Sequence, residues 1–199
     1  VGATATLQSL FEFNQTPQAL KVALKHEAQL NIRNVATVGG SIVACDGRSP
    51  LLTVLFALDP LVFLVPGDVQ IHLGDILPFR PDDLKGKIIT KIRIPGNVCV
   101  AYEYVSRTPM DKPIICVAVV KWSSARIRMV LGGWGKSPTL GYDGKYSFSS
   151  GNSDLEIAAK NAACDATDEW ASSEYRSAVA AILVSRCINH LEVGQAPLS

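Results

Sequence analysis

Between Val98 and Leu131 three strand-length segments follow one another, Val98–Ser106, Ile114–Trp122 and Arg126–Leu131, with links too short to hold a crossover helix. Parallel neighbours need a connection of roughly a dozen residues or more, so these three are expected to pair as an antiparallel meander. The middle segment is apolar almost throughout, as a strand covered on both faces would be. The last alternates Arg126 and Arg128 with Ile127, Met129 and Leu131. A small sheet of this kind needs helices to close it, and two are expected downstream. Ser153 with Glu156 three residues later has the pattern of a capping box. Beyond about Ser172, residues Tyr175, Val179, Ile182, Leu183, Cys187 and Leu191 recur at helical spacing. The stretch from Gly132 to Asn152, rich in Gly and Pro, reads as loop.

The first half carries shorter elements. Pro17–Leu30 reads as a helix with Leu20, Ala23, Leu24 and Ala28 on one face, and a second helix is expected from about Pro50 to Ala57. Leu61–Val65 and Val69–Ile71 form a strand pair across Pro66-Gly67-Asp68. Ile88–Ile94 alternates as a strand and stops at Pro95-Gly96, which sets the boundary between two domains, 1–96 and 97–199. The expected fold class is α+β.

Several function classes recede on composition. A chain that is 48% hydrophobic and 19% charged can bury a core, and a net charge of +1 is not that of a nucleic-acid binder. The longest apolar runs, Leu61–Val65 and Ile114–Val120, are too short to cross a bilayer. No export or anchoring signal is seen, and the odd number of cysteines with apolar neighbours at Cys116 and Cys187 suits a cytoplasmic location. No two of the five cysteines (45, 99, 116, 164 and 187) lie within four residues of each other, and His26, His72 and His190 share no ligand spacing. A metal centre in this chain is therefore not expected, and Cys116 and Cys187 read as reduced, buried thiols.

The most informative stretch is Asn31-Ile32-Arg33-Asn34-Val35-Ala36-Thr37-Val38-Gly39-Gly40-Ser41. Adjacent glycines allow backbone conformations closed to other residues, and unobstructed N–H groups between two hydroxyls could cradle a pyrophosphate. On its own T-x-G-G-S more often makes a tight turn.

The whole segment resembles the R-N-x-A-T-x-G-G-N/S signature of the flavin-carrying subunit of molybdenum hydroxylases, the carbon monoxide dehydrogenase and xanthine dehydrogenase family. Further matches occur in order. Val1-Gly2-Ala3 with Thr6-Leu7 is similar to I-G-A-x-x-T-L, and Ala57-Leu58-Asp59 to the end of the helix after the glycine pair. Ile88–Pro95 resembles the strand ending the flavin domain, and Tyr102–Asp111 the Y-E-K-x-x-R-x-x-x-D stretch that opens the next.

The resemblance implies the C-terminal part of a two-subdomain FAD-binding domain, followed by a three-stranded antiparallel sheet covered by helices. It implies FAD as cofactor. Thr37, Val38, Gly39, Gly40 and Ser41 would contact its diphosphate, and Ile89 would lie near the isoalloxazine. Tyr102 would approach the ring from the second domain, or simply pack as a strand tyrosine at the seam. Arg107 and Asp111 would form an ion pair fixing a loop, or touch the flavin. Where many members place a cofactor-binding Asp this chain has Pro50; Asp46 would take over that role, or merely make a turn with Gly47.

Nothing similar to the family's earlier A-G-G-T loop precedes Val1, so FAD is expected to bind this chain weakly or not at all. The implied role is electron transfer within a hetero-oligomer containing a molybdenum–pterin large subunit and a 2Fe-2S small subunit, with no nucleic-acid or membrane partner. The alternative is a non-catalytic assembly subunit that has lost productive FAD binding. Trp134, Tyr142, Tyr146 and Phe148 are candidate interface aromatics, unless they fold back onto the C-terminal helices.

Overall fold

The computed structural model describes residues 1–80, 84–109, 111–146 and 153–193. Its architecture is mixed helix and strand, as expected: a three-stranded antiparallel sheet in the first half and a four-stranded antiparallel sheet in the second. Helices α1 (Leu7–Glu12), α2 (Gln18–Glu27), α3 (Leu30–Arg33), α4 (Val38–Ala44) and α5 (Pro50–Leu58) precede the small sheet of β1 (Leu61–Val65), β2 (Val69–His72) and β3 (Ile88–Arg93). One-turn α6 (Leu73–Ile76) follows β2. The larger sheet runs in sequence order through β4 (Val98–Val105), β5 (Ile115–Trp122), β6 (Arg126–Gly132) and β7 (Thr139–Lys145), and α7 (Ser153–Ala162) and α8 (Ser173–Val193) complete the chain.

Helix α5 organises the fold. Every residue from Pro50 to Leu58 is buried, which is why its sequence is apolar all round rather than on one stripe. Ser49 caps it by accepting from Leu52 N–H at 3.0 Å, and Glu27 from α2 accepts from Ser49 Oγ and Leu51 N–H. One face of the larger sheet, through Tyr102, Cys116, Ala118, Val120 and Val130, packs into the core that contains α5. The opposite face, through Val117, Val119, Ile127, Met129 and Leu131, packs under α7 and α8. β5 is thus covered on both sides, which accounts for its continuous apolar run.

The structure corrects the sequence reading in several places. The C-terminal sheet has four strands rather than three, because Thr139–Lys145, read as loop, pairs with β6. Helix α2 ends at Glu27, and Leu30 starts a separate turn. The covering face of α8 is Ala180, Leu183, Val184, Cys187, Ile188 and Leu191, while Tyr175 and Ile182 are exposed. Glu156 accepts a hydrogen bond from Ser185 Oγ on α8, tying the two helices together. Trp134 and Tyr142 pack against the core under those helices and Tyr146 is buried within it, so these aromatics fold back; Phe148 lies outside the described residues.

An ion-pair network joins the end of α5 to the larger sheet. Asp59, left-handed at φ 52°, ends the helix, and its buried carboxylate meets Arg128 at 2.7 Å and Arg126 at 3.1 Å. Asp143 on β7 meets Arg126 at 2.7 Å and Arg128 at 3.2 Å. The Arg126 guanidinium holds the Asp143 carboxyl below its ordinary value. A carboxyl depressed in the folded state contributes stability that is complete above its unfolded pKa of about 4 and is lost as pH falls through the folded value. Urea unfolding of Asp143→Asn should therefore show a shallower loss of stability on acidification than the parent protein; parallel acid limbs would exclude this contribution.

Candidate functional site

The glycine pair does not form an open loop. Thr37 is the N-cap of α4, its Oγ1 accepting from Gly40 N–H at 3.1 Å, and Gly39 and Gly40 occupy the first helical turn without positive φ. The reason for glycine is close packing. A Cβ on Gly39 would lie 2.8 Å from Ala3 Cβ, and one on Gly40 would lie 2.9 Å from the capping Thr37 oxygen. The start of α4 is clamped to the N-terminal segment: Val38 N–H donates to Ala5 O and Gly39 N–H to Ala3 O, both at 2.9 Å. Ser41 N–H donates to Thr37 O. All four amides of this turn therefore have protein acceptors, and the expected cradle of free N–H groups is absent here.

A cleft of about 430 Å³ opens beside this turn. Its floor is the glycine pair with Ala3, and Val43, Leu84, Ile88 and Ile89 provide an apolar wall. Donors come from side chains: the hydroxyls of Thr4 and Thr37 and the ammonium of Lys87. Since Thr37 Oγ1 already accepts from Gly40, its own hydrogen is free to point outward. Such a lining suits a flat apolar group with an anionic flank, and to that extent the residues fit a flavin nucleotide.

Of the residues singled out in the sequence, the cleft brings together Thr37, Gly39, Gly40 and Ile89. Val38 and Ser41 are buried on the inner side of α4 and do not line it. Asp46 sits beyond the opposite end of α4, accepting from Arg48 N–H at 3.0 Å and pairing with Lys112 at 3.7 Å. Tyr102 is 8% exposed in the α5 core, stacked on Tyr104 at 5.7 Å; burial pushes its ionisation well above the ordinary value. Arg107 and Asp111 form no ion pair with each other; the Arg107 guanidinium lies 5.0 Å from the Trp170 ring centre.

Lys87 and Thr4 were missed. Lys87 directly precedes β3, next to Ile88 and Ile89, and that adjacency in sequence was the available signal.

Comparison with known proteins follows the same lines. The model of the FAD-binding domain in molybdopterin dehydrogenase matches residues 1–97. YgfM, an uncharacterised protein of Escherichia coli K12, is 30% identical over 185 residues, covering 93% of this chain and 70% of YgfM. The glyceraldehyde dehydrogenase medium chain of Sulfolobus acidocaldarius is 31% identical over 110 residues, covering 50% of this chain and 39% of that one. Carbon monoxide dehydrogenase from Hydrogenophaga pseudoflava contains a chain of the same fold, with TM-score 0.79 and 22% identity over 95% of this chain and 73% of the other. For quinoline 2-oxidoreductase from Pseudomonas putida 86 the TM-score is 0.73, with 17% identity over 98% and 74%. With a family model over its first half and a relative alike through 93% of its length, this chain belongs to the FAD-binding domain family of the molybdopterin dehydrogenases.

Proposed function

We propose that the chain is the FAD-holding, electron-passing subunit of a molybdenum hydroxylase-type dehydrogenase, working in the cytoplasm beside a molybdenum–pterin chain and a 2Fe-2S chain. On this reading residues 1–96 belong to the FAD-binding domain and 97–199 form a second domain. The observation that carries it is the convergence of Thr37, Gly39, Gly40 and Ile89 on one cleft with Lys87 at its edge. FAD, when bound, supplies a group that accepts electrons one or two at a time. Ile88 and Ile89 would exclude water from its flat face, Thr37 would donate to an anionic oxygen, and Lys87 would balance negative charge on the cofactor.

The satisfied amides of the first turn of α4 favour the second reading, an assembly subunit without productive FAD binding, because that turn then offers a cofactor only its side chains. Purification from the native source separates the two. The flavoprotein reading expects a complex containing molybdenum, iron and stoichiometric FAD. Reversing the exposed charge with Lys87→Glu should weaken FAD binding about tenfold, or ~1.4 kcal/mol, by flavin fluorescence titration. Molybdenum and iron without flavin would establish the assembly reading; a lone monomer free of both metals would defeat either.

A further inference from the structure

A second cleft, of about 270 Å³, shares no lining residue with the first and is built from three separate segments. Arg48 comes from the turn after α4, Arg107 and Lys112 from the β4–β5 link, and Trp170 from the link between α7 and α8. The guanidinium carbons of Arg48 and Arg107 lie 4.4 Å and 5.0 Å from the indole centre. Neither arginine has a carboxylate partner among the described residues; Arg48 Nη2 donates to Lys112 O at 3.4 Å, and its buried Nε has no acceptor among those residues. Asp111 is the one carboxylate lining the cleft, against three cations. Asp46 stands beside it, occupied by Lys112 Nζ at 3.7 Å and the Arg48 amide.

Buried contacts hold each wall in place. The turn carrying Arg48 is pinned through Gly47, whose N–H donates to Gly135 O at 3.0 Å and whose carbonyl accepts from Gly133 N–H at 2.8 Å. Trp170 N–H donates to Asp168 Oδ1 at 2.8 Å, and Asp168 is gripped by the fully buried Arg176. Arginines that line a cleft without a carboxylate partner of their own, on an aromatic platform fixed by a buried scaffold, form a receptor for an oxyanion.

We propose that this cleft binds a phosphate group, either free or carried on a nucleotide, with Arg48 and Arg107 as its donors. The proposal is independent of the FAD reading, because FAD is left out of its test. Calorimetric titration of the protein with inorganic phosphate and with AMP, at ionic strength held constant with chloride, should give saturable binding of at least one. Tighter binding of AMP identifies a nucleotide as the source, and equal affinities identify the free anion. Arg107→Gln, at an exposed position, should weaken binding about tenfold without altering the circular dichroism spectrum. Arg48→Gln should do at least as much. Absence of saturable binding for both probes, or affinity unchanged in Arg107→Gln, would overturn the assignment.

Discussion

Replacing Arg176 by Ala should cost about 3–5 kcal/mol of folding stability, one of the largest losses available from a single side chain in this protein. Arg176 has no exposed surface, yet its guanidinium is fully engaged. It donates to both oxygens of Asp168 at 2.8 and 2.9 Å, to Ile114 O at 3.0 Å and to Ala171 O at 3.3 Å, and it also reaches the carbonyls of Ala166 and Gly133. These acceptors belong to the start of β5, the loop after β6 and the link before α8, so one cation sets the relative positions of three segments. Truncation leaves several inward carbonyls without donors, each costing on the order of 1 kcal/mol or more, together with a cavity against the Trp134 ring. Urea unfolding monitored by circular dichroism would measure the loss. A midpoint unchanged from the parent protein would show that water replaces the guanidinium at no cost. The Trp170 platform is held through the same residue, so Arg176→Ala should also abolish phosphate binding at the second cleft.

Arg176 is the kind of residue that a sequence hides. A charged side chain on a helix is read as solvent-facing, and nothing local in Tyr175-Arg176-Ser177 announces five backbone and carboxylate acceptors waiting in the interior. The elements that were legible owe their form to local pattern: the β1–β2 hairpin with its Pro-Gly-Asp turn, α5 behind its Ser49 cap, and the alternation in β3 and β6. The misread ones are imposed by neighbours. Val38-Gly39-Gly40-Ser41 has poor intrinsic helix propensity, and it is helical because Thr37 caps it and Ala3 and Ala5 accept its first amides. Thr139–Lys145 contains two glycines and an aspartate, a weak strand sequence, yet Gly141 is what lets it cross β6 closely. A Cβ there would meet Leu131 Cδ1 at 2.6 Å and Met129 Cε at 2.7 Å. The candidate site shows the same division. Resemblance carried Thr37, the glycine pair and Ile89 to one place, while Val38, Ser41, Asp46 and Tyr102 were separated from it by helix phase and by the packing of the larger sheet against α5.

Gly47 offers the sharpest steric test, and Gly47→Ala should destabilise the fold by about 4 kcal/mol. The residue is buried in the turn between α4 and α5, where the chain passes beside the loop following β6. A Cβ at this position would fall 1.9 Å from Trp134 O and 2.9 Å from both Gly135 O and Ser137 O. Those atoms are backbone, so no side-chain rotation relieves the clash; the turn must move away from the loop as a unit. Movement breaks the pair of hydrogen bonds from Gly47 N–H to Gly135 O and from Gly133 N–H to Gly47 O, each contributing about 1 kcal/mol. The loop has little freedom to follow, because Gly133 is itself held at φ +120° against the carbonyl of Ile114. Overpacking alone costs about 1–3 kcal/mol in typical cores, and the two lost bonds bring the total to the stated value. Chemical denaturation should therefore show a much lower midpoint with an unchanged slope. The same displacement carries Arg48 away from Trp170, so whatever folded protein remains should bind phosphate at least tenfold more weakly. A variant with parental stability would mean that the turn and the loop are not in contact as described, and with them the wall of the second cleft.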